Sequence, residues 1–502
     1  MLLLSLDQGT TSSRAVVFDE AGAVVASAGR PLETRYPRPG WVEQDAEALW
    51  ISQRDAAAEA LDALGDRAGE LGAVGVTNQR ETVVLWDRAT GEPVAPAVVW
   101  QDRRTTAACE RMIEGGHEEE VREATGLRLD PYFSATKIRW VLDEDPTLRG
   151  RAEAGELAAG TVDAWLLWKL TGGRTLATDR TNASRTLLMD LEAGAWSDDL
   201  CERFGVPRAL LPEIRDGGGD DGFGEVQAAD RGLEAIRGLA VRGVLGDQQA
   251  ALLGQGCLKP GPVKCTYGTG CFLLVHTGEE RRRSEHRLLS TAAAGGGFAL
   301  EGGVFTGGAV VQWLRDGLGL ADTTEGVAEL AASVPDAGGA VLVPAFAGLG
   351  APHWDPRARG SIQGITAGTT AAHLCRAALD GIACQVADLV DALGADLGGA
   401  DAVTELRADG GAAANDRLLQ FQADLLQRPV VRPVQLEATA AGAALAAGLG
   451  AGAWGSSEEA VEAFCPDTET FEPAMPAADA TRHRERYAEA VSRCRDWADD
   501  DA

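Results

Sequence analysis

The sequence predicts an α/β protein made of two halves built on one plan, facing each other across a cleft. Three observations predict it. LSLDQGTTSSRAVVFD opens the chain as strand, Gly-Thr turn, strand, and VKCTYGTGCFLLVHT repeats that succession. The copies lie about 260 residues apart, as expected of a duplicated architecture. Apolar strand-like runs alternate with Ala/Leu segments of helical period, the pattern of α/β folds. Finally, 502 residues exceed a single hydrophobic core, so two or three domains are expected.

Element by element, residues 2–6 form an apolar strand, 9–11 a turn, 14–18 a second strand and 23–26 a third, giving an antiparallel meander. Residues 45–64 carry Ala and Leu at helical spacing among acids, and 73–77 and 82–86 read as strands around Asn78-Gln79-Arg80-Glu81. A strand at 240–245 runs into Gly246-Asp247-Gln248-Gln249. In the second half, strands fall at 262–267, 271–276, 298–301 and 341–344, and helices at 371–393, 415–426 and 438–449. Gly/Asp-rich 216–224 and Gly-rich 295–297 read as loops, and the tail after Pro473 as a charged helix. The two hairpins differ in one respect: the second has no acid where the first has Asp7.

Hydrophobic residues make up 45% and charged residues 24%, ordinary for a packed chain, which excludes disordered and fibrous classes. A net charge of −30 repels nucleic-acid phosphates and anionic lipid, so neither is an expected partner. The nine cysteines form no CxxC pair and no zinc-ligand spacing, which fits a reducing compartment. The amino-terminal apolar run is too short for a signal peptide, and no apolar stretch is long enough to span a membrane. A soluble cytoplasmic protein is expected.

Only four of the basic residues are lysines, at 137, 169, 259 and 264; 42 are arginines. Carboxylate excess with scarce lysine suits concentrated salt, where screening removes self-repulsion. A GC-rich genome, which also favours Arg and Ala, is the alternative. If the chain is salt-adapted, folding and activity should both rise with KCl, whereas full activity in dilute buffer would contradict the idea.

Four places could carry chemistry. Asp7-Gln8-Gly9-Thr10-Thr11-Ser12-Ser13-Arg14 puts an acid at a strand end before a hydroxyl-rich turn that can direct N–H groups at a phosphate. Asp7 could hold Mg2+ and Arg14 could neutralise an oxygen; a plain polar hairpin is the other reading. Gly268-Thr269-Gly270 and Asp409-Gly410-Gly411-Ala412-Ala413-Ala414-Asn415 offer close backbone approaches, the second before a helix N-terminus, or are turns. Asp247 follows a strand and could accept a hydroxyl proton, or could simply cap a helix. Arg80-Glu81, Trp100 and Tyr132 combine polar groups with aromatics, as a small polyol requires, although Arg80–Glu81 also reads as a surface ion pair. No P-loop and no kinase H-R-D string is present, and the six histidines fall at no recognisable spacing.

Taken together, SLDQGTTSSRAVVFD, GVTNQRET, VVWQDRRT, DPYFSATKIRW, GDQQAALLGQG, TYGTGCFLL, FAGLGAPHWDPRARG and DGGAAANDRLLQFQAD resemble, in order, the strings of the FGGY carbohydrate kinases. The resemblance spans residues 5–424. It implies two ribonuclease-H-like (actin-like ATPase) domains, residues 1–253 and 254–502, with Mg2+ and ATP in the cleft between them. It implies ATP-dependent phosphorylation of glycerol to sn-glycerol 3-phosphate in glycerol catabolism, with Asp247 as general base. Arg80, Glu81, Tyr132, Asp247 and Gln248 would hold the hydroxyls, with Trp100 and Phe272 as apolar wall. Thr10, Thr11, Ser12 and Arg14 would grip the phosphates. Thr269, Gly308, Gln312, Gly411 and Asn415 would line the nucleotide pocket, and Asp7 and Asp247 would surround Mg2+. A homo-oligomer, dimer or tetramer, is also implied. Some members bind a sugar bisphosphate through a Gly/Lys-rich loop; residues 226–242 contain no lysine and no Gly-Gly pair, so inhibition of that kind is not expected. A related sugar kinase, or an actin- or chaperone-like ATPase, are the competing readings; the second gives no reason for Arg80, Glu81, Trp100 and Tyr132.

Overall fold

A computed structural model describes residues 1–219, 222–434, 437–464 and 467–498. Cys465 and two residues of the 216–224 loop lie outside the described residues; the other eight cysteines are buried free thiols. The chain divides into two compact units. The first holds Met1–Leu258, Ser290–Phe298 and Ala438–Pro466; the second holds Lys259–Leu289, Ala299–Glu437 and Asp467–Ala502. Among the described residues, no helix is long and apolar enough to cross a membrane.

The first unit is built on a five-stranded sheet. Strands β1 (Leu2–Gln8), β2 (Ser12–Asp19) and β3 (Val24–Pro31) form the expected antiparallel meander. Strand β4 (Leu71–Asn78) then pairs parallel with β1, and β5 (Val241–Gly246) parallel with β4, giving the order β3-β2-β1-β4-β5. Strand β1 is apolar on both faces because helices cover both, as parallel sheets require. Helix α1 (Ala46–Leu64) lies against β2 and β3. It begins where Asp45 accepts from the N–H groups of Glu47 and Ala48 at 2.9 and 3.3 Å, and it stops at Gly65, whose φ is 55°. Short helix α2 (Arg180–Ala183) and helix α3 (Asp247–Gly254) follow, and the late helix Ala438–Gly450 returns to pack on α3 and the sheet. Gly254 and Gly442 allow that approach, since a Cβ on either would meet the facing backbone.

The second unit repeats the plan. Strands β6 (Pro262–Tyr267) and β7 (Cys271–Gly278) form the second hairpin, followed by β8 (Phe298–Val304), β9 (Glu405–Asp409) and β10 (Val430–Pro433). Within a seven-stranded sheet these five run in the order β8-β7-β6-β9-β10, with β9 parallel to β6 and β10 parallel to β9. Helices α4 (Ala371–Leu397) and α5 (Asp416–Leu426) pack together, and α4 lies against β7. Both units thus share one strand order, as the repeated hairpins predicted, with an acid at the end of the first central strand only.

Parallel strands fix where chemistry can sit, because their carboxyl ends open together. In the first unit Asp7 and Leu245 both align with Thr77, so Asp7 and the Gly246–Asp247 turn stand at one sheet edge with Asn78-Gln79-Arg80-Glu81 between them. In the second unit Thr266 aligns with Asp409, which brings Gly268-Thr269-Gly270 beside Gly410-Gly411.

Candidate active site

In the first unit the turn after β1 is pinned from below. Gly9 N–H donates to Ser12 O at 2.9 Å; Gln79 donates its backbone N–H to Gln8 O at 2.8 Å and its side-chain amide to Gly9 O at 3.2 Å; the Gln44 amide donates to Thr10 O at 2.6 Å. Thr10 Oγ1 accepts from the Trp100 indole at 2.9 Å, so its own proton can still reach a phosphate oxygen. Ser13 turns inward, to Gln8 and Ser52. Arg14 pairs in register with Asp7, and Thr11 is exposed at the tip.

Beside the turn lies a buried charge array. Arg80 and Glu81 are 2% and 1% exposed, which removes the surface-pair reading. Glu81 has φ 62°, a left-handed conformation that is costly for a residue with a Cβ. The partner of Glu81 is Arg185, whose Nε lies 2.6 Å from its Oε1, while Arg80 Nε is 3.9 Å from that oxygen and 3.2 Å from Asp247 Oδ1. Arg80 also donates to Gln249 at 3.2 Å. Asp247 is the first residue of α3, with Gly246 in the cap position; its Oδ1 accepts from Gln248 N–H at 2.7 Å, and its side chain keeps 29% exposure.

The aromatic wall is placed by buried cations. Trp100 and Tyr132 meet edge-on, ring centroids 5.7 Å apart. Lys137, wholly buried, donates to the Tyr132 and Phe133 carbonyls at 2.6 and 3.1 Å, and burial pulls its ammonium down to about 8. The Arg185 guanidinium lies over both the Tyr132 and Phe133 rings. Asp102, two residues beyond Trp100, is engaged elsewhere: it holds Arg104, which stacks on Trp41 and Trp140, and it accepts from Val42 N–H.

The structure therefore brings Asp7, Thr10, Thr11, Ser12, Arg14, Arg80, Glu81, Trp100, Tyr132, Asp247 and Gln248 to the strand ends of one unit. Sequence reasoning missed Arg185, Lys137 and Gln249 there. Arg185 reaches the site from another segment; Lys137 and Gln249 stand within DPYFSATKIRW and GDQQAALLGQG but were given no role. Phe272 belongs to the second unit, on β7, with its ring beside Gly303.

Thr269, Gly308, Gln312, Gly411 and Asn415 all line one cavity of about 760 Å3 within the second unit. Its apolar side comes from Ala328, Ala332 and Leu379. Gly410, at φ 86°, lies so close to Tyr267 that a Cβ would stand 2.7 Å from its carbonyl oxygen, and this contact seats the turn at the mouth of β6. Asn415 caps α5, accepting from Leu418 N–H at 3.1 Å. Gln312 leads into one turn of π-helix, Trp313–Gly317, a distortion common near binding sites. A Cβ on Gly411 meets nothing within 4 Å. Gly411→Leu is therefore expected to fill the cavity and weaken ADP binding by about tenfold or more without lowering Tm, because about 1.4 kcal/mol of lost contact suffices. Unchanged ADP affinity by calorimetry would contradict the assignment.

Two carboxylates, Asp7 and Asp247, project at the same sheet edge, about 10 Å apart in backbone terms from the strand spacing. Among the described residues no group of three His, Cys, Asp or Glu gathers at one point. One or two carboxylates with water and phosphate oxygens is how Mg2+ is ordinarily held, so the pair fits that ion.

Family models for the FGGY family of carbohydrate kinases match residues 2–254 (N-terminal domain) and 263–451 (C-terminal domain). The chain belongs to this family, and its units have the actin-like ATPase fold. It is 50% identical to the glycerol kinase of Rhodopirellula baltica, covering 100% of this chain and 92% of that protein, and 52% identical to that of Alkalilimnicola ehrlichii, covering 99% of each. Among solved structures it is similar to the Plasmodium falciparum glycerol kinase with ADP, at 33% identity, TM-score 0.89 and 98% coverage of both chains. A xylulose kinase from Lactobacillus acidophilus shares the fold at 18% identity and TM-score 0.86.

Proposed function

We propose that the protein transfers the γ-phosphoryl group of ATP to a terminal hydroxyl of glycerol, giving sn-glycerol 3-phosphate and ADP, in the cytoplasm. The observation that carries this reading is the buried Arg80–Glu81–Arg185 array walled by Trp100 and Tyr132, with the Asp247 carboxylate 3.2 Å from Arg80. A three-carbon polyol needs hydrogen-bond partners along one edge and an apolar surface along the other. Glu81 accepts from hydroxyls, Arg80 donates to them, and the two rings cover the C–H edge. The relatives named glycerol kinase, and the ADP in one of them, support the choice of acceptor and donor.

In the transfer, a bond forms between the terminal glycerol oxygen and the γ-phosphorus while the bridging bond to the β-phosphate breaks. Asp247 takes the hydroxyl proton and later gives it to water. Because the proton leaves late in a loose transition state, an ordinary carboxylate suffices. Arg80, 3.2 Å away, aims the Asp247 carboxylate. Thr10, Thr11, Ser12 and Arg14 neutralise and orient phosphate oxygens, and the cavity lined by Thr269, Gly308, Gln312, Gly411 and Asn415 holds the nucleoside. Asp7 and Asp247 would hold Mg2+, which when bound neutralises charge on the phosphates. The test is ADP release with ATP and a panel of polyols and ketoses. Glycerol is expected to be the strongly preferred acceptor; phosphorylation of xylulose without glycerol would overturn the reading.

A further inference from the structure

Segment 179–185, Asp-Arg-Thr-Asn-Ala-Ser-Arg, has no part in the chemistry derived above beyond Arg185, yet it reaches the ends of both β4 and β5 and, through Arg185, Glu81 and Tyr132. Asp179 caps the four-residue helix α2, accepting from Thr181 N–H at 2.7 Å and from Asn182 through N–H at 3.0 Å and side-chain amide at 2.8 Å. Thr181 Oγ1 accepts from Gly246 N–H at 2.8 Å. Asn182 and Asn78 exchange two amide hydrogen bonds, at 3.1 and 3.0 Å, at the foot of the turn that carries Arg80 and Glu81. Ser184 pairs with Thr291, which accepts from the Gln249 amide that in turn receives Arg80. Thr181, Asn182 and Ser184 are each at most 2% exposed.

We infer that α2 is the positioning element of the site, and that the Thr181 hydroxyl sets the aim of Asp247. The physical reason is local. Strand β5 ends at Gly246 and α3 starts at Asp247, so the Gly246 N–H is the last main-chain donor before the carboxylate. A buried N–H of this kind must find an acceptor, and here the acceptor is one hydroxyl on a helix whose own start is tied by Asp179. Asn182 ties that same helix to β4. The two strand ends bearing Asp247 and Arg80–Glu81 are thereby held to one rigid body, and the 3.2 Å Arg80–Asp247 distance follows from it. Thr181 touches no substrate in this scheme; it acts through Gly246.

The inference rests on the reading of Asp247 as proton acceptor, and the experiment separates the two. Thr181→Ala leaves room for water to take up the Gly246 N–H and so preserves the fold; Thr181→Val keeps the shape and removes the acceptor; Thr181→Ser keeps the hydroxyl alone. Displacement of a reacting group by about 1 Å can cost about 100-fold, so kcat for glycerol is expected to fall between about 10- and 100-fold in the alanine and valine variants. KM for ATP and ADP affinity should hold, and serine should restore kcat to within about threefold, as bond geometry rather than volume decides. Wild-type kcat in the alanine variant, or a serine variant as slow as alanine, would overturn the inference. Asp247→Asn is assayed alongside: if it turns over normally, the proton-acceptor reading falls. If it is inactive while Thr181→Ala is normal, only the role of α2 falls.

Discussion

Asp247→Asn is expected to lower glycerol-dependent ADP release by about 10^2- to 10^4-fold, the usual worth of a positioned general base, while ADP binding stays intact. Asparagine keeps the shape and can still accept from Gln248 N–H, but it cannot take a hydroxyl proton and no longer balances the buried Arg80. The nucleotide cavity is built entirely from second-unit residues, which is why affinity for ADP should be insensitive. Loss should therefore appear in kcat, with little change in the dissociation constant measured by calorimetry. An asparagine variant with wild-type kcat would remove Asp247 from the mechanism.

The largest effect on stability is expected from Arg185→Met. The arginine is wholly buried and lies 2.6 Å from a glutamate that is itself 1% exposed, closer than Arg80 Nε at 3.9 Å. Removing one partner of a buried pair leaves an uncompensated charge, at a cost of about 3–5 kcal/mol. The guanidinium also stacks on Tyr132 and Phe133, so the aromatic wall loses its support. Tm should fall on the order of 10 °C, and KM for glycerol should rise. Adding Glu81→Gln removes the stranded charge, so the double variant should be more stable than Arg185→Met alone. A double variant less stable than either single one would show that the pair is not what holds this region.

How much of this was readable in the chain depends on distance along it. Strands β1, β2, β6 and β7 were legible because each hairpin is local: apolar runs either side of a Gly-Thr turn. Asp7, Arg80, Glu81, Trp100 and Asp247 stood out because each lies beside a strand end, where the apolar pattern breaks, and Tyr132 as an aromatic in a loop just before a helix. Pairing through space left no such mark. Glu81 and Arg80 are neighbours in sequence and lie within ion-pair distance, at 3.9 Å, yet they are buried and the shorter contact of Glu81 is to Arg185, 104 positions on. The bond from Gly246 to Thr181 and the amide exchange between Asn78 and Asn182 join β-strand ends through a four-residue helix too short to show a period. The left-handed φ of Glu81 is imposed by tertiary packing, since nothing about glutamate favours it. The returns of the chain into the first unit at 290–298 and 438–466 have no compositional signal either. The second of these is an Ala/Gly helix, and its small residues make sense only once the strands and helix they pack on are known.

The central claim, that a terminal hydroxyl of glycerol receives the phosphoryl group of ATP on this scaffold, is tested most directly by following one reaction mixture with 31P NMR. One phosphomonoester of glycerol is expected for each ADP formed, with no inorganic phosphate beyond background. ATP hydrolysis at the same rate with and without glycerol, and no ester signal, would contradict the account.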